Sequence, residues 1–130
     1  SGRLEGAIET LRRGMAEMPS DADWVIVTER VLPTLRSVAS APKVSSKTRS
    51  AGMGLLDDLA GRISKAEPDS FVPYLNLARA EALFRMNQRA LQSLEVALKR
   101  GYGGIRAAQT DPDFKALLGD PAFRAMAEKP

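Results

Sequence analysis

The chain predicts an all-α fold of stacked antiparallel helical hairpins, and three observations carry that prediction. The first is a spacing that recurs. Ala7, Leu11 and Gly14 stand 12, 8 and 5 residues before Pro19; Leu56, Ala60 and Ile63 stand at those distances before Pro68; Ala90, Leu94 and Ala97 stand at them before Tyr102. Small and large residues alternating on one helix face, closed by a turn, suit hairpins that pack side by side, with a period of roughly 34 residues. The second is composition: 44% hydrophobic residues but only 5% aromatics, with Ala, Leu, Arg and Met, all good helix formers, frequent. The third is that the only strand-like run, Trp24 to Val27, has no partner run elsewhere in the chain.

The elements follow in order. Leu4, Ile8, Leu11, Met15 and Met18 form one apolar seam on a helix over about residues 3–18, with Glu5, Glu9, Arg12 and Arg13 on the other side and Pro19 as its stop. Ser20, with Asp23 three residues on, is the expected cap of a second helix running to about Ala39. Pro33 inside it is expected to kink or break it near Leu32. Residues 40–50 read as a polar, basic loop. From Arg30 to Leu56 there are five Lys or Arg and no Asp or Glu, the clearest shift of composition in the chain.

A third helix over about 53–66 carries Leu55, Leu56, Leu59 and Ile63 on one face, with a frayed start expected from Gly52 and Gly54. Ser70 is the expected cap of a fourth helix over 71–86, with Pro73 in its first turn and Asn87 as the left-handed residue that ends it. A fifth covers about 88–100 and stops at Gly101. The tail repeats one device: Asp111-Pro112 and Asp120-Pro121 each set a cap before a proline, predicting short helices at 112–118 and 121–128.

Charge and residue usage narrow the function classes. A net charge of +3 is mildly basic and gives an anionic partner only weak support. The chain has no His and no Cys, which removes the commonest general base and the thiol and zinc chemistry that depend on them; no catalytic residue, metal or cofactor is expected. Asp57 and Asp58 are adjacent on a helix and point apart, and Gly101-Tyr-Gly-Gly104 fits a helix end better than a phosphate-cradling loop. No apolar stretch reaches the roughly 20 residues of a membrane span, and Glu5 and Glu9 break up any signal-peptide core. This leans towards a cytoplasmic setting and leaves an exported fragment open. Ser45, Ser46 and Thr48, beside Lys and Arg, are candidate phosphorylation sites weighed against a plain solvated loop.

The segments Tyr74-Leu-Asn-Leu-Ala78, Ala90-Leu-x-x-Leu-x-x-Ala-Leu98 and Gly2-Arg-Leu-x-x-Ala-Ile-x-x-Leu-x-x-Gly14 resemble the two helices of tetratricopeptide repeats. The tail, Asp111-Pro-Asp-Phe and Asp120-Pro-x-Phe123, is similar to the closing segment of many bacterial members. The resemblance covers about 2–20 and 68–130 well and 21–67 only in outline. It implies an α-solenoid fragment within residues 1–130: the second helix of a truncated repeat at 2–19, an expanded hairpin at 20–68, the best-matching repeat at 69–102 and a capping tail at 103–130. On this reading the first helix lacks its partner, so Leu4, Ile8, Leu11, Met15 and Met18 either pack wholly on the second helix or offer a face for self-association.

The resemblance also implies a function: a protein–protein interaction scaffold whose concave groove takes an extended, acidic or carboxylate-bearing peptide. Ile26 and Leu75 lie 7 residues, and Arg30 and Arg79 lie 11 residues, after Pro19 and Pro68, so both pairs fall at equivalent groove positions, with Asn76 nearby. The alternatives are that Arg30 and Arg79 are solvated or pair with Glu29 and Glu81, and that Asn76 bonds within its hairpin. A second reading gives the basic segment, with Lys43, Lys47 and Arg49, an anionic surface or nucleic acid; it lacks the interleaved aromatics that stack bases. A third makes the chain a structural or oligomerisation domain of a larger protein.

Overall fold

The computed structural model describes residues 2–128, so the outermost ends of the predicted 1–130 domain and 103–130 tail lie outside the described residues. Among these, every regular element is helical: α1 (Gly2–Ala16), α2 (Trp24–Ser40), α3 (Ser46–Ala66), α4 (Val72–Leu83), α5 (Asn87–Lys99), α6 (Ile105–Thr110), a 3₁₀ helix (Pro112–Leu117) and α7 (Pro121–Glu128). The expected all-α class is therefore present. The helices fall into two compact units divided between Pro68 and Asp69.

In the first unit α1, α2 and α3 pack on one another pairwise. The buried residues of α2 are Trp24, Val27, Thr28, Val31, Leu32, Leu35 and Val38, a single stripe at helical spacing. The helix begins later than Ser20. Asp23 is the cap, its carboxylate accepting from the Val25 and Ile26 amides, while the Ser20 carbonyl accepts the indole N–H of Trp24 at 2.9 Å. Pro33 does not break α2, which continues to Ser40. Its ring lies on the exposed side, and Val31, Leu32 and Leu35 on the packed side hold both halves in place.

The predicted loop 40–50 shrinks to residues 41–45. Ser45 caps α3, its hydroxyl accepting from the Thr48 amide at 3.1 Å, and α3 starts at Ser46, seven residues before the expected point. Gly52 is buried rather than a frayed end. In α1 the buried residues are Ile8 and Met15, one position after Ala7 and Gly14 of the recurring spacing. A one-residue step turns a helix face by about 100°, and the larger side chains win the interior because they remove more apolar area from water. The spacing thus repeats in sequence without marking the same buried positions in all three helices.

In the second unit α4 and α5 form a hairpin, and the 3₁₀ helix packs on both α4 and α6. Ala90, Leu94 and Ala97 of α5 have no exposed surface, as the small–large–small pattern requires. The Ser70 hydroxyl accepts the Val72 amide at 3.1 Å, one position earlier than a cap, and Pro73 occupies the first turn. The segment 105–110, for which the sequence predicts no element, is the short helix α6, and the predicted helix at 112–118 is a 3₁₀ helix.

Both helices of this hairpin end in the same Schellman arrangement. After α5, the Tyr102 amide donates to the Ala97 carbonyl and the Gly101 amide to that of Leu98, with Gly101 at φ +106°. After α4, the Met86 amide donates to Glu81 and the Arg85 amide to Ala82. Here Arg85, not Asn87, is the left-handed residue, at φ +60°; Asn87 instead opens α5. A residue with a Cβ pays about 1–2 kcal/mol for that backbone, and glycine does not. Arg85→Gly is therefore expected to raise the unfolding free energy by up to about 1 kcal/mol, read as a higher urea midpoint at unchanged slope, whereas Gly101→Ala lowers it by a similar amount.

Candidate functional site

The five residues of the predicted groove fall on two helices in different units. On α2, Asp23 fixes the register of the first turn, which sets Ile26, Glu29, Arg30 and Pro33 along the side opposite the buried stripe. Ile26 is 48% exposed, a large apolar side chain left in water. Arg30, one turn on, is exposed and makes no ion pair among the described residues.

On α4 the arrangement differs. Leu75 and Asn76 are buried, so the structure corrects their reading as lining of an open groove. Arg79 carries two contacts. Its Nε donates to Oδ2 of Asp111 at 2.8 Å, and Nη1 donates to Oδ1 of Asn76 at 2.8 Å. The other Asp111 oxygen accepts the Asp113 amide at 2.9 Å and so caps the 3₁₀ helix. The expected partner Glu81 is instead held by Ser93 Oγ at 2.6 Å and by Arg89 Nε at 3.2 Å. Nothing local in the sequence pointed to Asp111, 32 residues away; the usable signal was the cap–proline device that places its carboxylate at a helix start.

Beside this pair, the Tyr102 ring packs on Phe71 with centroids 5.6 Å apart, and Arg100 lies 5.1 Å from the centroid of Tyr74. Burial pushes the Tyr102 phenol above its ordinary 10.0; Arg79 pulls it down and Asp111 pushes it up, both more weakly.

Of the basic segment, Lys43 and Lys47 are exposed and Arg49 is half-buried. Thr48 is fully buried; its hydroxyl donates to Oε1 of Glu5 at 2.8 Å and accepts from Ser45 Oγ at 3.0 Å, joining α1 to the start of α3. Of the three hydroxyl residues singled out for phosphorylation, Thr48 is thus closed to modification and Ser45 is committed to a cap. The apolar seam of α1 is also mostly used: Ile8 and Met15 are buried, and Leu4, Leu11 and Met18 partly so, which removes Ile8 and Met15 from any self-association face.

Among the described residues no group of three or more His, Cys, Asp or Glu is placed to hold a metal ion, and no helix is long and apolar enough to cross a membrane. No protein-family model, curated protein or solved structure matches the chain.

Two outcomes follow from the Arg79 cluster. Asp111→Ala removes both the ion pair and the cap and is expected to cost about 2 kcal/mol, while Asp111→Asn keeps the cap and costs about 1 kcal/mol, both read from urea melts. The Tyr102 phenol is held neutral in the fold, so the native state keeps its proton at pH values where the unfolded chain loses it. Stability from this source is complete below pH 10 and falls as pH climbs through 10 towards the raised folded value. Tyr102→Phe is expected to flatten that alkaline decline; an unchanged slope would refute the assignment.

Proposed function

We propose that this chain is a non-catalytic protein–protein interaction module built of tetratricopeptide-like hairpins. In this reading the outer side of α2 takes an extended peptide that carries a carboxylate and an apolar side chain. The observation that supports it is the pair of arginines 11 residues after Pro19 and Pro68. Arg79 grips a carboxylate at 2.8 Å, and that carboxylate opens a segment whose Phe114 and Leu117 are fully buried. Arg30 stands at the matching sequence position on α2, exposed, with Ile26 one turn earlier. A guanidinium can hold a carboxylate through two parallel N–H donors, and Ile26 supplies apolar area for a neighbouring side chain. Each exposed contact is weak alone, so affinity comes from several together.

The chain's own Asp-Pro-Asp-Phe segment indicates the ligand chemistry to try first. A fluorescein-labelled peptide with the sequence of residues 110–117 is expected to bind saturably by anisotropy. Arg30→Glu is expected to weaken it roughly tenfold, the scale of a lost charge-assisted contact plus repulsion. Lys43→Glu with Lys47→Glu is expected to leave it unchanged, and so is Arg79→Gln, which tests whether the peptide merely displaces the native tail. Absence of saturable binding, or equal loss in all three variants, defeats the reading.

A further inference from the structure

We propose that the open cleft between α1 and α3 binds a phosphoryl group, as free phosphate or as a small organic phosphomonoester. The cleft encloses about 520 Å³ and is lined by Glu9, Arg12, Arg13 and Ala16 of α1 and by Asp58 and Arg62 of α3. The spacings put four α1 residues on one face of that helix and Asp58 and Arg62 on one face of the other. Three guanidinium groups therefore meet two carboxylates in one concavity.

The carboxylates are already occupied. Glu9 accepts from Arg13 Nε at 3.0 Å and Asp58 from Arg62 Nε at 3.1 Å, each four residues along its own helix. A guanidinium has five N–H donors, so each of these arginines is oriented through Nε and keeps its terminal amino groups. Arg12 makes no ion pair among the described residues. Its Nη1 reaches α3, 3.8 Å from where a Cβ on Gly54 would stand. The uncompensated cation thus reaches from α1 to α3 at a cleft that Arg13 and Arg62 also line. A single carboxylate offers two oxygens in one plane; a tetrahedral phosphoryl group offers three, one for each arm of such a set.

The organic part has a place as well. A second cavity of about 430 Å³ shares Glu9 and Arg12 with the first and continues along the same seam over Gly6, Ile8 and Ala51, with Lys47 at its far side. Gly6 leaves open space where a Cβ would stand. A phosphomonoester would rest its phosphoryl group among the arginines and lay a small ring over these residues.

The test titrates the chain with sodium phosphate and separately with phenyl phosphate, at constant ionic strength maintained with chloride, and follows the arginine Nε–H and backbone amide resonances. Both ligands are expected to shift the Nε–H signals of Arg12, Arg13 and Arg62 saturably. Phenyl phosphate alone is expected to move the amides of Gly6 and Ala51 as well; if it moves only the arginine signals, the site is for free phosphate. Arg12→Gln, at an exposed helix position that leaves the spectrum of the fold intact, is expected to weaken binding roughly fivefold, the scale of one partly exposed charge-assisted contact. Arg106→Gln, in the other unit, is expected to change nothing. Shifts that stay linear with concentration, or an equal loss in the two variants, would overturn the proposal. So would saturable binding of the 110–117 peptide that moves these arginine signals and survives Arg30→Glu.

Discussion

The close approach of α5 to α4 is the constraint on which the second unit depends. α4 and α5 bury Ala78, Ala80, Ala82, Ala90 and Ala97 at 1% exposure or less, and side chains this small exclude water only where helices come close together. Ala90 and Ala97 keep the α5 backbone near its neighbour, Leu94 fills the space between them, and all three are without exposed surface. Larger groups at the alanine positions would strain the pair by about 1–3 kcal/mol. The three-residue link between the helices is set by the same demand. It closes α4 with two Schellman hydrogen bonds and accepts a left-handed Arg85 to do so. Held in this way, α4 presents Arg79 to the 3₁₀ helix, and the tail docks.

What the sequence made legible follows from whether the governing interaction is local. Helix periodicity and cap–proline pairs are local, and α1, α2, α5, α7 and the caps at Asp111 and Asp120 came out close to expectation. The start of α3 did not. Glycine propensity argued for a loop through Gly52 and Gly54, but the Ser45 cap, the tie from Thr48 to Glu5 and the burial of Gly52 outweigh roughly 1 kcal/mol per glycine. Pro33 taught the same lesson. A missing amide and a ring clash are local costs, and packing on either side of the residue overrides them. α6 was missed because its six residues carry too short a pattern to read, and its role is set by the 3₁₀ helix beside it.

The candidate sites were legible only in part, for the same reason. Equivalent spacing after Pro19 and Pro68 picked out Arg30 and Arg79, yet spacing alone could not tell that α4 is buried along most of its surface while α2 keeps an outer strip. Leu75 and Asn76 went wrong on that point. The cleft between α1 and α3 was not seen at all. Its two ordered arginines each have an acid four residues before them, which is visible in sequence, but that α1 and α3 turn these faces towards one cleft is a property of packing.

A rule connecting these sites emerges from where each arginine finds its carboxylate. Arg13 and Arg62 have an acid four residues earlier on the same helix and use it; such exposed pairs are worth only a few tenths of a kcal/mol. Arg79, Arg89 and Arg100 have none three or four residues away, and each reaches a carboxylate outside that range, on Asp111, Glu81 and Asp69 respectively. In these three cases an arginine without an acid at helical spacing connects separate parts of the chain. Arg30 has none at that spacing either, and Arg12 has only Glu9, whose carboxylate is taken by Arg13. Both remain without an ion pair among the described residues, one above an exposed Ile26 and one across an open cleft. At these two positions a carboxylate or phosphoryl group from another molecule would supply the partner that Arg79, Arg89 and Arg100 find within the chain.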